Sequence, residues 1–339
     1  MVPDEALVRL EACGICGTDY EQYEGEFPSP LPLIPGHEPL GLVAEIGERA
    51  QERWGVAVGD RVAVRSRYGC GQCEACARRD YRHCPQGGGY GFTSIDKPPA
   101  LWGGYAEYLY IAPASALRKM RPDIPAEIAV LFNPLGAGFA WAVNVPQTRP
   151  GDTVAILGCG QRGLCAVIAA REAGAGQILI TGLARDEHKL GLARELGADV
   201  TINVEAEDAV AVVREATGGG ARVVLDTTPY APQAVTQAIA MAAPRGTVVI
   251  AGLKGQRPVP EFYSDELLHK ELTLRGVWGV DEASFEQAVR LIEAQKYPLH
   301  KLHTHSFDLS EAERAIQTLA GRFPSEPAIH VAIVPHARP

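Results

Sequence analysis

The residues of this chain best suited to chemistry are its eight cysteines, and four of them stand together as Cys70-x2-Cys73-x2-Cys76-x7-Cys84. Four thiolates at such short spacing can close a tetrahedron around Zn²⁺ and leave no position open to substrate, so the expected site is structural. An iron–sulfur cluster or a redox dithiol uses the same residue type, and local spacing does not separate them from zinc. Disulfides are the less favoured reading. An acidic chain whose first residues, Met1-Val2-Pro3-Asp4-Glu5, lack a basic and apolar leader is expected in the reducing cytoplasm.

A second pattern, Gly158-Cys159-Gly160-Gln161-Arg162-Gly163, follows the apolar run Thr153–Leu157 and opens a helix-like segment. In that setting Gly158 makes the turn, Gly160 lets backbone N–H groups approach a pyrophosphate, and Gly163 lets helix pack on strand. Gln161 and Arg162 belong to the same candidate loop, at a helix start that favours phosphate charge. A loop of this kind usually has an acid about 20 residues on, bonding a ribose hydroxyl. Here Gly182-Leu183-Ala184-Arg185 has none at the strand end, and Arg185 can pair with a 2′-phosphate. The expected cofactor is therefore NAD or NADP, with a lean to NADP.

The third pattern pairs Gly14-Ile15-Cys16-Gly17-Thr18-Asp19 with Gly36-His37-Glu38. Thiolate and imidazole are ordinary zinc ligands, and a set short of four protein ligands leaves room for a substrate oxygen. Taken alone, a cysteine and a histidine this far apart also fit a core thiol and an ordinary imidazole.

Different elements must position these motifs. Up to about residue 125, short apolar runs broken by glycine and proline suggest an all-β unit, with strands expected at 6–11, 42–46, Arg61–Val64 and 105–111. From 126 on, the pattern predicts helices at 126–132 and 139–145. Strands at Thr153–Leu157, 178–181, 223–226 and 247–251 then alternate with helices at 163–173, 186–196 and 233–242. That alternation predicts βαβ units and a parallel sheet. Two more helices, 284–294 and 310–319, and a strand at 329–334 end the pattern.

Composition limits the partners. Lys+Arg is 32 against Asp+Glu 41, a formal charge of −9, with a pI near 5.5. That argues against nucleic acid and anionic lipid. No run approaches 18 uninterrupted apolar residues, so no membrane span is predicted.

The three motifs, in this order, resemble the zinc-dependent medium-chain dehydrogenase/reductase superfamily of alcohol, polyol and threonine dehydrogenases. The resemblance covers essentially the whole chain. It implies α/β plus β architecture: a GroES-like catalytic β-domain (1–128, with a zinc lobe at about 69–86), an inserted Rossmann doubly wound parallel sheet (129–279), and a return to the catalytic domain (280–339). It implies two zincs per chain, a small alcohol or ketone substrate, and a homodimer or homotetramer; the stretch 272–280 offers an edge strand for such pairing. Matched residue by residue, Cys16 and His37 are catalytic zinc ligands and Glu38 a further one. Thr18 is the hydroxyl that takes the alcohol proton, and Asp19 supports the metal site.

The chain departs from the family pattern in four places. Asn133, in Phe132-Asn133-Pro134-Leu135, stands where a third ligand is usual. Glu21 replaces the histidine of the outer proton relay, either as a proton acceptor or as an exposed side chain. Ala184 replaces the strand-end acid. About two strands common in relatives are missing before residue 4. The resemblance implies an active zinc oxidoreductase, most naturally on a secondary alcohol, polyol or sugar derivative; the alternative is an idle or regulatory relative with only the structural zinc. Tyr20, Tyr23, Phe27, Trp102, Phe139 and Trp278 are candidate pocket aromatics.

Overall fold

The computed structural model describes residues 2–335. The chain forms two compact units: one runs to Asn133 and resumes at Asp281, and the other is Pro134–Val280.

The first unit is built on a seven-stranded mixed sheet. Its order is His303–Phe307, His330–Ile333, Ala6–Gly14, Glu38–Ile46, Arg61–Val64 and Leu117–Lys119, with Tyr108–Ile111 also paired to Ala6–Gly14. In Ala6–Gly14 the alternation Ala6, Val8, Leu10, Ala12 places every second side chain in the core, as a half-buried strand requires. Val43, Val62, Val64, Leu109 and Trp102 close over it. The strand Glu38–Ile46 is longer than expected, because its start is read by pairing and not by apolar side chains: Gly14 lies opposite Glu38, and Cys13 opposite Pro39. This register brings the end of one strand, with Cys16 just beyond it, beside the start of another, with His37 just before it.

Between Arg61–Val64 and Tyr108–Ile111 the chain makes a lobe. A two-stranded ribbon pairs Tyr68 with Gly88 and gathers the intervening residues into one loop. Helix Glu74–Ala77 and a 3₁₀ turn at Tyr81–His83 fold it tightly enough to converge four cysteines.

The second unit is a six-stranded parallel sheet ordered Val200–Asn203, Gln177–Gly182, Thr153–Leu157, Ala221–Asp226, Ala242–Ile250, Thr273–Gly276. The order reverses between Thr153–Leu157 and Ala221–Asp226, and in such sheets the crevice at that reversal is where ligands bind. Its central strands, Gln177–Gly182, Thr153–Leu157 and Ala221–Asp226, carry near-continuous buried apolar runs, as burial on both faces demands. Leu157, Leu179, Ile202, Val224 and Val248 form the core with Val235 and Ile239 of helix Gln233–Met241.

The segment expected as helices at 126–132 and 139–145 is a broken series: Ala126–Ala129, Phe132–Phe139, then a π-helical turn Ala140–Asn144. Taken together, the 19 residues Ala126–Asn144 are long and apolar enough to cross a membrane, but 72% of that window is buried within the protein. That is the pattern of a core helix.

Candidate functional site

Cys16 is the N-cap of the short helix Gly17–Tyr23. Asp19, three residues on, accepts the Cys16 backbone N–H on Oδ2 at 2.8 Å. The local sequence thus makes a capping box whose carboxylate does more than cap: its other oxygen, Oδ1, lies 3.3 Å from His37 Nδ1. Asp19 is 1% exposed and His37 7%. Nδ1 thus faces Asp19, and the other nitrogen, Nε2, faces Glu38, 3.9 Å from its Oε1. Fixing one ring nitrogen through a carboxylate so that the other is a ligand is how metal-binding histidines are oriented.

The ligating atoms of Cys16, His37 and Glu38 all lie within 4.8 Å of one another. Burial disfavours charge on His37, but the Asp19 carboxylate and the Cys16 sulfur outweigh it and hold the imidazole well above its ordinary range. Thr18 Oγ1 is 3.9 Å from Cys16 Sγ, so the hydroxyl sits beside the ligand group. Glu21, on the same helix, is buried, which removes the reading of an exposed side chain. Asn133 is buried too and opens helix Phe132–Phe139; the cluster of three is formed by the thiol, imidazole and carboxylate, all better zinc donors than a neutral amide.

Of the candidate pocket aromatics, Phe27 is the one that packs near this group. Its ring lies 5.7 Å from Phe92, and Phe92 lies 5.1 Å from the His37 ring. Trp102 is instead core, stacked on Tyr68 at 5.1 Å, and Phe139 is buried in its helix. Tyr23 bonds Glu313, Tyr20 bonds Arg322, and Trp278 is 60% exposed. Phe92 itself carried no signal in the sequence beyond being aromatic.

In the lobe, the four sulfurs also lie within 4.8 Å of one another. Cys70–Cys76 is 3.9 Å and Cys73–Cys84 3.7 Å. Those are not disulfide distances; they match the edge of a tetrahedron with Zn–S bonds of about 2.3 Å, roughly 3.8 Å. Backbone N–H groups of Gln72 and Cys73 pull the Cys70 thiol down to about 6, while burial pushes Cys76 up to about 11.

In the second unit, Gly158 follows its strand with φ +94°. At Gly163 a Cβ would lie 1.9 Å from the Gly158 carbonyl oxygen, so helix and loop touch only because Gly163 lacks a side chain. At Gly160, the N-cap of helix Gln161–Glu172, a Cβ would meet nothing within 4 Å. A tight turn, a packed third glycine and open space at the helix N-terminus form a cradle that fits a pyrophosphate. Gln161 is buried, and the Arg162 guanidinium lies 5.7 Å over the Trp141 ring. Arg185 is exposed on the 3₁₀ turn Ala184–Asp186.

Sequence reasoning passed over the far wall of this crevice. Thr227 Oγ1 donates to the Leu157 carbonyl at 2.8 Å. The fully buried Asp226 accepts from the Thr228 backbone at 2.9 Å and pairs with Lys254 Nζ at 2.7 Å. The signal was an acid at the end of a buried strand, a place where an uncompensated charge is costly.

The chain was compared with known proteins. Residues 2–122 match the alcohol dehydrogenase GroES-like domain, and residues 163–294 match the zinc-binding dehydrogenase family. A probable alcohol dehydrogenase of Mycobacterium tuberculosis is 48% identical over 337 residues, covering 98% of this chain and 92% of the relative. An erythritol/L-threitol dehydrogenase of Mycolicibacterium smegmatis is 33% identical over 347 residues, covering 98% and 91%. Among solved structures, alcohol dehydrogenase TADH from Thermus sp. ATN1 superposes with a TM-score of 0.84 at 30% identity, covering 98% of this chain and 93% of that one. The GroES-like and Rossmann architecture, the alcohol-oxidising relatives and the breadth of the matches lead to one assignment: this chain is an oxidoreductase of alcohols or polyols and belongs to the zinc-dependent medium-chain dehydrogenase superfamily.

Proposed function

We propose that the enzyme moves hydride between a secondary alcohol, polyol or sugar derivative and a nicotinamide dinucleotide, using Cys16, His37 and Glu38 to hold a catalytic zinc and Cys70, Cys73, Cys76 and Cys84 to hold a structural one. The observation that carries this is the antiparallel register Gly14↔Glu38, which converges three zinc-type donors and the Asp19 that orients His37. When bound, zinc polarises an alcohol oxygen and the nicotinamide accepts hydride. The residues do the rest. Thr18 takes the hydroxyl proton, Asp19 holds the ligand imidazole in one tautomer, and Glu21, buried on the same helix, is the next acceptor for that proton. Gly158, Gly160 and Gly163 shape the phosphate cradle.

The dinucleotide is NAD or NADP. Arg185 leans toward a 2′-phosphate, and the Glu205 carboxylate on the neighbouring Ala184 N–H weighs the other way. A homodimer or homotetramer is supported by the strand Thr273–Gly276. It is exposed along its length at the rim of its sheet, and an open strand edge invites pairing with another.

Metal analysis of the purified protein, joined to a panel of alcohols, polyols and ketones assayed with both dinucleotides, tests this reading. The expected result is two zincs per chain and turnover of at least one substrate class that stops on chelation. One zinc per chain with no turnover of any class would replace it with the idle relative.

A further inference from the structure

The turn after the strand Gln177–Gly182 is where a doubly wound sheet distinguishes one ribose from another, and its own sequence offers no acid at Ala184. The structure brings one in from a different strand. Val200–Asn203 is the parallel neighbour of Gln177–Gly182, with Asn203 opposite Gly182, so the residues beyond the two strand ends lie side by side. Val204 donates its N–H to the Gly182 carbonyl at 3.0 Å. The next residue, Glu205, turns its carboxylate back across the gap, and Oε2 accepts the Ala184 backbone N–H at 2.7 Å. Its own N–H is tied to Asn203 Oδ1 at 3.1 Å.

The neighbouring N–H, that of Leu183, faces Asp186 Oδ2 at 3.4 Å. These two donors of the turn are therefore turned onto carboxylates. The two acids differ in their charge balance. Lys189 pairs with Asp186 at 2.9 Å, whereas no lysine or arginine pairs with Glu205 among the described residues. Arg185 is exposed and likewise makes no side-chain bond among them. The turn also abuts the glycine loop: a Cβ at Gly182 would lie 2.6 Å from Cys159 Sγ.

We propose that Glu205, supplied by the adjacent strand, is the ribose-selecting residue of this enzyme and favours NAD over NADP. The inference rests on the reading above that the glycine loop binds a dinucleotide. A ribose with free 2′ and 3′ hydroxyls brings donors, and Glu205 Oε1 remains open to accept one. A 2′-phosphate brings close to two negative charges and acceptor oxygens only, against a carboxylate with no cation of its own among the described residues and a turn whose Leu183 and Ala184 N–H groups are already engaged. Arg185 attracts that phosphate from an exposed position, where water and salt weaken it. The lean it gives the sequence is thus overridden by a residue 20 positions further along the chain.

The test is binding, read by tryptophan fluorescence or calorimetry on cofactor-free enzyme titrated with NAD⁺ and NADP⁺. The parent binds NAD⁺ tighter by about tenfold or more. Glu205→Gln keeps an oxygen to accept the Ala184 N–H but removes the charge. It tightens NADP⁺ by roughly five- to tenfold and leaves NAD⁺ within about threefold. Raising salt shrinks the variant's advantage, because the removed term is electrostatic. NADP⁺ affinity unchanged in Glu205→Gln, or a parent that prefers NADP⁺, overturns the proposal. Failure of both dinucleotides to bind the folded parent overturns instead the reading of the glycine loop on which it stands.

Discussion

Asp19 faces two neighbours with one carboxylate: Oδ2 accepts the Cys16 N–H, and Oδ1 lies 3.3 Å from His37 Nδ1. Both candidate ligands thus contact a residue that need not touch the metal. Replacing Asp19 by Asn keeps its size and its ability to accept one bond but removes the charge facing the imidazole. We expect zinc affinity at this site to fall by about 10- to 100-fold, the usual effect of losing such a supporting partner, as measured by chelator competition with the four-cysteine lobe still loaded. Unchanged affinity would mean that His37 is oriented by something else. Removing a ligand outright is harsher. Cys16→Ala should cut turnover by at least about a thousandfold, roughly 4 kcal/mol of transition-state stabilisation. Dinucleotide binding should stay within about threefold, because the glycine loop belongs to the other unit. Turnover at a tenth of the parent's or more would sink the catalytic assignment.

At the scale of elements, two glycines of one loop make opposite predictions. Gly163→Ala drives a methyl to within 1.9 Å of a backbone oxygen; something must shift, at a cost of about 1–3 kcal/mol or more, and melting temperature and dinucleotide binding should fall together. Gly160→Ala adds its methyl to open space at φ −67°, which alanine adopts freely. That variant should melt with the parent and lose affinity because the methyl occupies the cradle. The reverse pattern would show that the cradle lies elsewhere. In the lobe, Cys73→Ser leaves three thiolates where four closed a site, and should lower the melting temperature by roughly 5–10 °C. Turnover per active molecule should change little. Equal melting at matched zinc content would argue against a structural metal there. What was legible beforehand follows the same scale. The strand, glycine turn and helix around residue 158 could be read because local sequence alone dictates them. The strand beginning at Glu38 was read as starting only at 42, since a Gly-His-Glu-Pro stretch looks like loop until a partner strand supplies the ladder. Helices Glu48–Trp54 and Ala209–Ala216 escaped notice; each is about two turns long, too short for a helical period to stand out. Glu205 and Lys254 were invisible as site residues for a deeper reason. Each meets a residue at or just beyond the end of a different strand, and only the sheet order brings them there.

For the whole molecule, association and assembly follow from where strands end. Thr273–Gly276 is the rim of the parallel sheet, with Leu274 at 36% and Trp278 at 60% exposure beside it. A Leu274→Glu, Trp278→Glu double variant should elute as a monomer from a sizing column with its far-ultraviolet dichroism intact. If it keeps the parent's mass, pairing does not use this edge. The other sheet has a different consequence, one of timing. The strand Ala6–Gly14, which leads into Cys16, is flanked on one side by Glu38–Ile46 and on the other by His330–Ile333, where Cys13 meets Ile333 and Ile15 donates to Val331 at 2.9 Å. Synthesis runs from one end of the polypeptide to the other, and folding units close as soon as their parts have emerged. The continuous segment Pro134–Val280 has all its strands in hand while the ribosome is still translating the remainder. Tyr108–Ile111 covers the second edge of Ala6–Gly14 only from Ala6 to Arg9, so the Cys13–Gly14 end beside Cys16 must wait for a partner made some three hundred codons later. Birth order and expected completion order are therefore opposed at this strand end, and Cys16, the candidate ligand encoded nearest the start of the message, is expected among the last residues to be locked in place.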